Sequence, residues 1–398
     1  MKINSIIPLA FLPMFALGTQ VNAQSEPPTV SITVNPDQAA RASVFWTDKR
    51  ISEAKPFPMP IDYGPSDINR DARMEEAMED MGEPGKTSPG RAEANSSLDS
   101  GVFFERGVFP SSGDESGDDG PEITDEYVSD ILADGDLEIT FKNSLLDSTT
   151  DMQTGTSQVY TSYSVNNKTA LWKVYPHKWV GRLSFTTPDG TAYCSATAIS
   201  GNNIVTAAHC IYDSTNNRWY SNWVFSPAYR AGISPYGTFT ASVCWVLTNW
   251  VNLSGSYSIN GWAKYDVAVC EMNNNSSGQT LNAAVGWAGR SWNYGYNQLH
   301  FVNGYPWRNT SNVLLSSAGY YLRSCTAESF QQTTDTLGSG CNYGPGISGG
   351  SWLRNYRALE SSGNVNSVCS GMYLGVTNSY GPRFNSNNIV PLCNSAGC

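Results

Sequence analysis

The sequence predicts an all-β domain of the sandwich or barrel type over residues 171–398, preceded by an acidic, partly disordered segment over residues 24–170. Three observations carry that reading. Charge divides the chain: 28 acidic against 11 basic residues from Gln24 to Ala170, then 7 against 12 from Leu171 to Cys398. Eleven of the twelve tryptophans and all nine cysteines fall in the second part. That part also consists of short apolar runs separated by turn signals, with no helical apolar period longer than two turns.

The first residues read as an export signal. Lys2 supplies the positive end, Ile6 to Gly18 is a short apolar run, and Val21-Asn22-Ala23 is a small-x-small cleavage site before Gln24. The run is too short to span a bilayer, and no later stretch is apolar enough, so the expectation is a secreted, extracellular protein without a membrane span. The acidic segment has runs such as Glu75-Glu76 and Asp118-Asp119 and Pro-Gly spacers around Gly82 to Gly90. Such composition buries little apolar surface by itself. Tyr127 to Phe141 is a candidate for a small helix or strand. The segment reads either as a linker or as a pro-segment docked on the basic part, an intramolecular inhibitor or folding aid; opposite net charge favours docking.

Within the second part the expected strands are Trp179–Phe185, Ala192–Ile199, Asn203–Ala207, Phe239–Leu247, Asp266–Glu271, Leu299–Asn303, Tyr320–Cys325 and Gly371–Thr377. Pro188-Asp189-Gly190 and Gly201-Asn202-Asn203 punctuate them as turns. Export makes disulfides the expected state of the cysteines. Cys194 and Cys210 are the first expected pair, and Cys244–Cys270, Cys325–Cys341 and Cys369–Cys393 are further possibilities, since sequence does not fix connectivity. Nine is odd, and Cys398 at the terminus is the expected unpaired thiol.

Chemistry concentrates at three places. His209 lies in Thr206-Ala207-Ala208-His209-Cys210, after the apolar Ile204-Val205. Ser348 lies in Gly346-Ile347-Ser348-Gly349-Gly350, where flanking glycines let the backbone turn sharply and aim the Gly346 and Ser348 N–H groups into one oxyanion hole. Among Asp189, Asp213, Asp266 and Asp335, only Asp266 heads an apolar run, Val267-Ala268-Val269, where a carboxylate needs a partner. A hydroxyl nucleophile, an imidazole base and an orienting carboxylate are the parts needed for acyl transfer. The Gly-x-Ser-x-Gly string also fits the nucleophile elbow of α/β-hydrolases, but no histidine follows Ser348, which excludes that order. His177 and His300 are assigned to structure, and the tryptophans to core and cleft walls. No Cys-x-x-Cys or His-Glu-x-x-His occurs, so no metal is expected. A cysteine nucleophile at Cys210 would point away from His209 on a strand. Nucleic-acid binding lacks a basic stripe.

These motifs resemble the trypsin-like, chymotrypsin-fold serine peptidases. Thr-Ala-Ala-His-Cys, Asp-Val-Ala-Val and Gly-Ile-Ser-Gly-Gly occur in the family's order, from about Trp172 onward, and the Cys194–Cys210 spacing resembles its histidine-loop disulfide. The resemblance implies two packed antiparallel β-barrels with the site between them. It also implies a secreted serine endopeptidase that needs no cofactor, acts on protein or peptide substrates through a His209-Asp266-Ser348 triad, and is made as a proenzyme. Activity is then expected to fall as pH drops through the range in which an imidazole protonates. A silent homologue acting as a binding module would show a damaged triad, and all three motifs are intact.

Several residues depart from the digestive branch of that family. Ile347 stands where an aspartate would pair with a new N-terminal ammonium, and no Ile-Val-Gly-Gly start occurs near the boundary. Gly-Ile-Ser-Gly-Gly-Ser with Gly304-Tyr305-Pro306 is closer to the bacterial glutamyl-endopeptidase-like branch. Maturation is then expected to remove a blocking segment by cleavage around Thr154 to Leu171. The pocket residues implied are Asn342, which disfavours a Lys or Arg preference, with Thr377 and Asn378. The stretch Val376 to Ser379 lacks the histidine of glutamyl specialists. The chain is expected to end without the family's closing helix.

Overall fold

The structure is a computed structural model and describes residues 28–62, 86–88, 138–140, 160–165, 171–253, 257–315, 317–357, 362–373 and 376–398. The expected export signal at 1–23, the acidic runs and most of the expected processing region lie outside the described residues.

The N-terminal piece consists of β1 (Thr29–Thr33), α1 (Pro36–Phe45), α2 (Asp48–Glu53), β2 (Lys55–Pro56) and β3 (Ile61–Asp62). Asn35 caps α1 by accepting from Gln38 N while the Gln38 side chain returns a bond to Asn35 N, a reciprocal box that satisfies two end donors. Thr47 caps α2 by a single bond, its Oγ1 accepting from Arg50 N. Within the segment read as partly disordered, residues 28–62 form regular structure. Trp46, Ile51, Ala54 and Met59 are buried against the rest of the chain, and that apolar burial offsets the entropy of ordering the segment.

Next come β4 (Tyr160–Val165), β5 (Val180–Thr187), β6 (Gly190–Ile199), β7 (Asn203–Thr206), β8 (Ser221–Pro227), β9 (Phe239–Leu247) and β10 (Ala268–Met272). Strands β9-β8-β5-β6-β7-β10 pair antiparallel in that order, and β10 returns to β9, closing a six-stranded barrel. The barrel is filled by Leu183, Phe185, Ala196, Val205, Phe225, Phe239, Val246 and Val269, all fully buried. Cys244 and Cys270 are direct register partners across β9 and β10 and are disulfide-bonded. β1 adds to the barrel along Val243–Leu247 of β9, and β2 pairs in parallel with Ala192–Tyr193 of β6.

The second unit contains β11 (Gly289–Trp292), β12 (Leu299–Gly304), β13 (Leu322–Thr333), β14 (Thr336–Ser339), β15 (Ser351–Arg357), β16 (Ser362–Val368), β17 (Met372–Tyr373) and β18 (Ser379–Pro382). Its order is β18-β14-β13-β12-β15-β16-β11, ending on Lys86–Ser88. The expected two-unit, all-β architecture is present. Among the described residues the second unit is an open sheet with one parallel pair, β11 with β16, and no strand pairing closes it. β4, inside the acidic segment of the sequence reading, is a sheet strand on β13, with Ser162 opposite Cys325. Glu138–Thr140, within the stretch left open as helix or strand, is a strand on β4. β3 pairs in parallel with β17.

Two expectations are corrected. The chain ends in a helix, α3 (Ile389–Ala396), whose Ile389, Leu392 and Cys393 are buried and which closes on Gly397 in a left-handed turn. That turn swings Cys398 back to Cys393, so these two are bonded, and Cys369 is the free thiol, buried with Trp352 Nε1 donating to its sulfur at 3.1 Å. Cys325 and Cys341 are bonded.

Candidate active site

His209 sits in a 3-10 turn, Ala208–Cys210, directly after β7, and the Cys194–Cys210 disulfide ties that turn to β6. Asp266 ends another 3-10 turn, Ala263–Tyr265, two residues before β10, rather than heading the strand as the sequence suggests. β7 and β10 are neighbours in register, Thr206 opposite Ala268, so their two flanking turns meet at one end of the barrel. Asp266 Oδ1 accepts from His209 N at 2.9 Å, and Oδ2 lies 2.7 Å from His209 Nδ1. A carboxylate oxygen accepts from Nδ1–H, and in that tautomer of the imidazole Nε2 is the free acceptor. Ser370 Oγ donates to Asp266 Oδ2 at 2.5 Å. Asp266 is fully buried, and these three bonds offset the cost of keeping a carboxylate from water.

Ser348 is also fully buried, on the loop between β14 and β15. Ser195 N donates to Ser348 O at 2.7 Å, and Gly349 N donates to Cys369 O at 2.8 Å. Gly349 has φ +78°, and a Cβ there would collide with Ser195 O and Thr206 Oγ1; only glycine lets the loop close this tightly on the end of β7. The structure thus packs Ser348 against the strands that carry His209, and it links Asp266 to the same loop through Ser370, the neighbour of Cys369. Ser348 Oγ and His209 Nε2 are both buried and neither makes a hydrogen bond.

The loop backbone faces in a definite direction. In a trans peptide the C=O and N–H point oppositely. Pro345 O accepts from Trp307 N at 2.8 Å and Ile347 O accepts from Gly350 N at 2.6 Å. The N–H groups of Gly346 and Ser348 therefore point away from those contacts, and neither donates to an acceptor among the described residues. Gly346 has φ +94°, and its carbonyl is held by Ser195 Oγ at 2.8 Å. Ile347, fully buried, pins the loop into the core of the second unit.

The implied pocket residues are placed less uniformly. Asn342 Oδ1 accepts from Thr310 N and Thr310 Oγ1 at 2.9 and 2.5 Å, so its amide oxygen is already engaged. Asn378 is buried and Thr377 is half-buried. His300 is fully buried with Nε2 on Asn366 Oδ1 at 3.1 Å, and His177 is buried in a 3-10 turn.

Sequence reasoning missed Ser370, whose only signal was the small-residue string Cys369-Ser370-Gly371 beside the cleft. It also missed what covers the site. Phe57 N donates to Tyr193 O at 2.8 Å, and the Phe57 ring stacks on the His209 imidazole with centroids 6.0 Å apart. Met59 is buried with the apolar cluster of the second unit, and Met372 N donates to Pro60 O at 3.1 Å. Asp62 Oδ2 accepts from Ile259 N at 2.8 Å. Residues 55–62 thus cross from β6 of the barrel to β17 of the second unit, over His209.

The one grouping of possible metal ligands among the described residues is Cys194, His209 and Cys210. Both sulfurs belong to a disulfide and offer no thiolate, so the set does not fit a metal ion.

A curated Bacillus subtilis (strain 168) protein described as "Extracellular metalloprotease" is 28% identical over 198 residues, 46% of this chain and 53% of that protein. The match spans about half the length of that relative. Among solved structures, protease Anisep from Arthrobacter nicotinovorans is 29% identical, with a TM-score of 0.47 over 56% of this chain and 96% of that one. A Glu endopeptidase is 16% identical, with a TM-score of 0.48 over 60% and 97%. A sequence model of the family described as Trypsin matches residues 172–376. That match takes in just over half of the sequence and all three candidate residues, and the chain belongs to the trypsin family.

Proposed function

We propose that this chain is a secreted serine endopeptidase, made as a proenzyme, that hydrolyses peptide bonds through an acyl-enzyme on Ser348. One observation carries the reading. The His209–Asp266 pair is buried with Nδ1 on the carboxylate and Nε2 without a partner, and Ser348, whose Oγ is likewise buried and unpartnered, sits on a loop packed against the strands that lead to His209. In this reading His209 Nε2 takes the Ser348 proton as Oγ bonds to the substrate carbonyl carbon. The Gly346 and Ser348 N–H groups hold the resulting oxyanion. The imidazolium, stabilised by Asp266, then gives its proton to the leaving amine, and water repeats the cycle on the ester. Ser370 is a positioning residue, fixing the carboxylate that orients His209.

The proenzyme part rests on residues 55–62, which stack Phe57 on His209, in a site whose Ser348 is fully buried. The oxyanion loop is already held by Ile347 and by carbonyl contacts that involve no new N-terminus. Uncovering the site is then the whole of activation. Secretion is supported by the four disulfides and by the extracellular relative.

The test is covalent labelling of processed protein with a serine-directed inhibitor, with the modified residue mapped by mass spectrometry. Label on Ser348, turnover reduced about 10⁶-fold in Ser348→Ala, and activity unaffected by chelators are the expected results. Full turnover in the purified Ser348→Ala protein refutes the assignment. Loss of activity on chelation, restored by a metal, would instead bring this chain to the chemistry named for its Bacillus relative.

A further inference from the structure

Arg182 is 1% exposed on β5, yet no carboxylate forms an ion pair with it among the described residues. Its guanidinium lies 3.6 Å from the Tyr193 ring centroid and 4.5 Å from that of Tyr229. Nη2 donates to Ala54 O at 3.2 Å, and Nε is buried with no hydrogen-bond partner. With the Ala54 carbonyl and the Tyr229 hydroxyl as its polar partners and Nε left without one, the buried guanidinium is under-satisfied, because it carries five donors.

What covers it is the N-terminal segment. Trp46, Ile51 and Ala54 are 4%, 0% and 5% exposed and share one apolar cluster with Tyr193 and Tyr229. Departure of residues 28–62 removes these three side chains and the one carbonyl acceptor together. The arm of the cleft along β6 would then present Arg182 to whatever peptide replaces the segment. Ala54 is three residues from Phe57, the residue over His209, or about 10 Å of extended chain.

We infer that Arg182 is a substrate-binding residue of the processed enzyme, selecting a carboxylate about three residues from the scissile bond. This rests on the proteolytic reading above. In the uncut chain the Ala54 carbonyl fills the position with a single neutral acceptor. A carboxylate offers two oxygens to the guanidinium fork and forms charge-assisted bonds roughly twice as strong. The ligand is an Asp or Glu side chain, or the carboxyl terminus of a short peptide; both present the same group.

The test uses processed protein titrated for active sites with a serine-directed inhibitor. Peptides of one sequence carry a single Glu moved through four positions on each side of the scissile bond, with matched free-acid and amide termini. The expected result is a rise in kcat/KM of about 10-fold at one position three or four residues out. The rise should shrink in high salt, vanish in Arg182→Met and partly survive in Arg182→Lys. If only the free-acid peptides gain, the site takes a terminal carboxylate. A flat profile in the wild-type protein overturns the inference, as does the same preference in Arg182→Met. Should Arg182→Met fail to fold, the wild-type profile at low and high salt still decides. Should the inhibitor label nothing and no peptide be cut, the proteolytic reading has failed. Anisotropy of the same labelled peptides, acid against alanine, then still decides the Arg182 site.

Discussion

Ile347 shows how one side chain sets the state of the loop beside Ser348. A fully buried isoleucine needs no ionic partner, and Gly304 and Gly350 leave it room, since a Cβ on either would crowd its Cδ1 or carbonyl at 2.5 and 2.8 Å. Ile347→Ala should cost about 3 kcal/mol by the lost transfer energy and the cavity, read as a lower Tm. It should also lower kcat more than KM, because the adjoining N–H groups act on the oxyanion rather than on the bound peptide. At this scale the sequence was most legible. His209, Asp266 and Ser348 were found because each breaks its local pattern: a base after a strand, a carboxylate before an apolar run, a hydroxyl among glycines. Ser370 broke no pattern, and its role comes wholly from a contact 104 residues away in the chain. Cys369 was misassigned for a related reason, since spacing cannot tell a thiol under Trp352 from one near a helix end.

Among the elements, the stretch from β2 to β3 lies over His209, and the proposed proenzyme rests on it. It is held at both ends by parallel pairing, to β6 and to β17, and in the middle by Phe57 and Met59. Phe57→Ala with Met59→Ala in the uncut chain removes the ring stacked on His209 and the side chain anchored in the second unit's core, and keeps the pairing. Reaction of the full chain with a serine-directed inhibitor should then speed up at least 10-fold, because several kcal/mol of apolar burial is lost. An unchanged rate would mean that these residues do not gate access. Opposite charge suggested docking of the acidic part; among the described residues the docking contacts are apolar burial in residues 28–62, upstream of the acidic runs, and strand pairing at 86–88, 138–140 and 160–165. Composition averaged over 24–170 hid them. The closing helix α3 was hidden by the same kind of averaging: eight residues with a proline inside give little periodic signal.

For the molecule as a whole, pH stability has an identifiable contributor. Burial, with Arg354 nearby as a lesser cause, lowers the His300 pKa from 6.5 to about 4. The unfolded chain takes up this proton first as pH falls, so the contribution to stability is present above about 6.5 and is lost on the way down to about 4. The loss is on the order of 3 kcal/mol. Denaturant unfolding of the uncut chain across that range should show it, and His300→Gln should flatten the slope. The all-β class was legible from short runs and turns. Closure of the first barrel was expected only through the family resemblance, because which strands pair at long range leaves no local mark.

The place of β1 carries one more consequence. While residues 29–33 are attached, both long sides of Val243–Leu247 are hydrogen-bonded, one to β10 and the other to β1. A cut that frees the N-terminal piece strips the outer edge of that strand, leaving the amide and carbonyl groups of every other residue over Val243–Leu247 facing solvent as a bare sheet margin. Liberating the cleft and baring this margin are one event, so the processed form should be the more prone to self-association, most of all when concentrated.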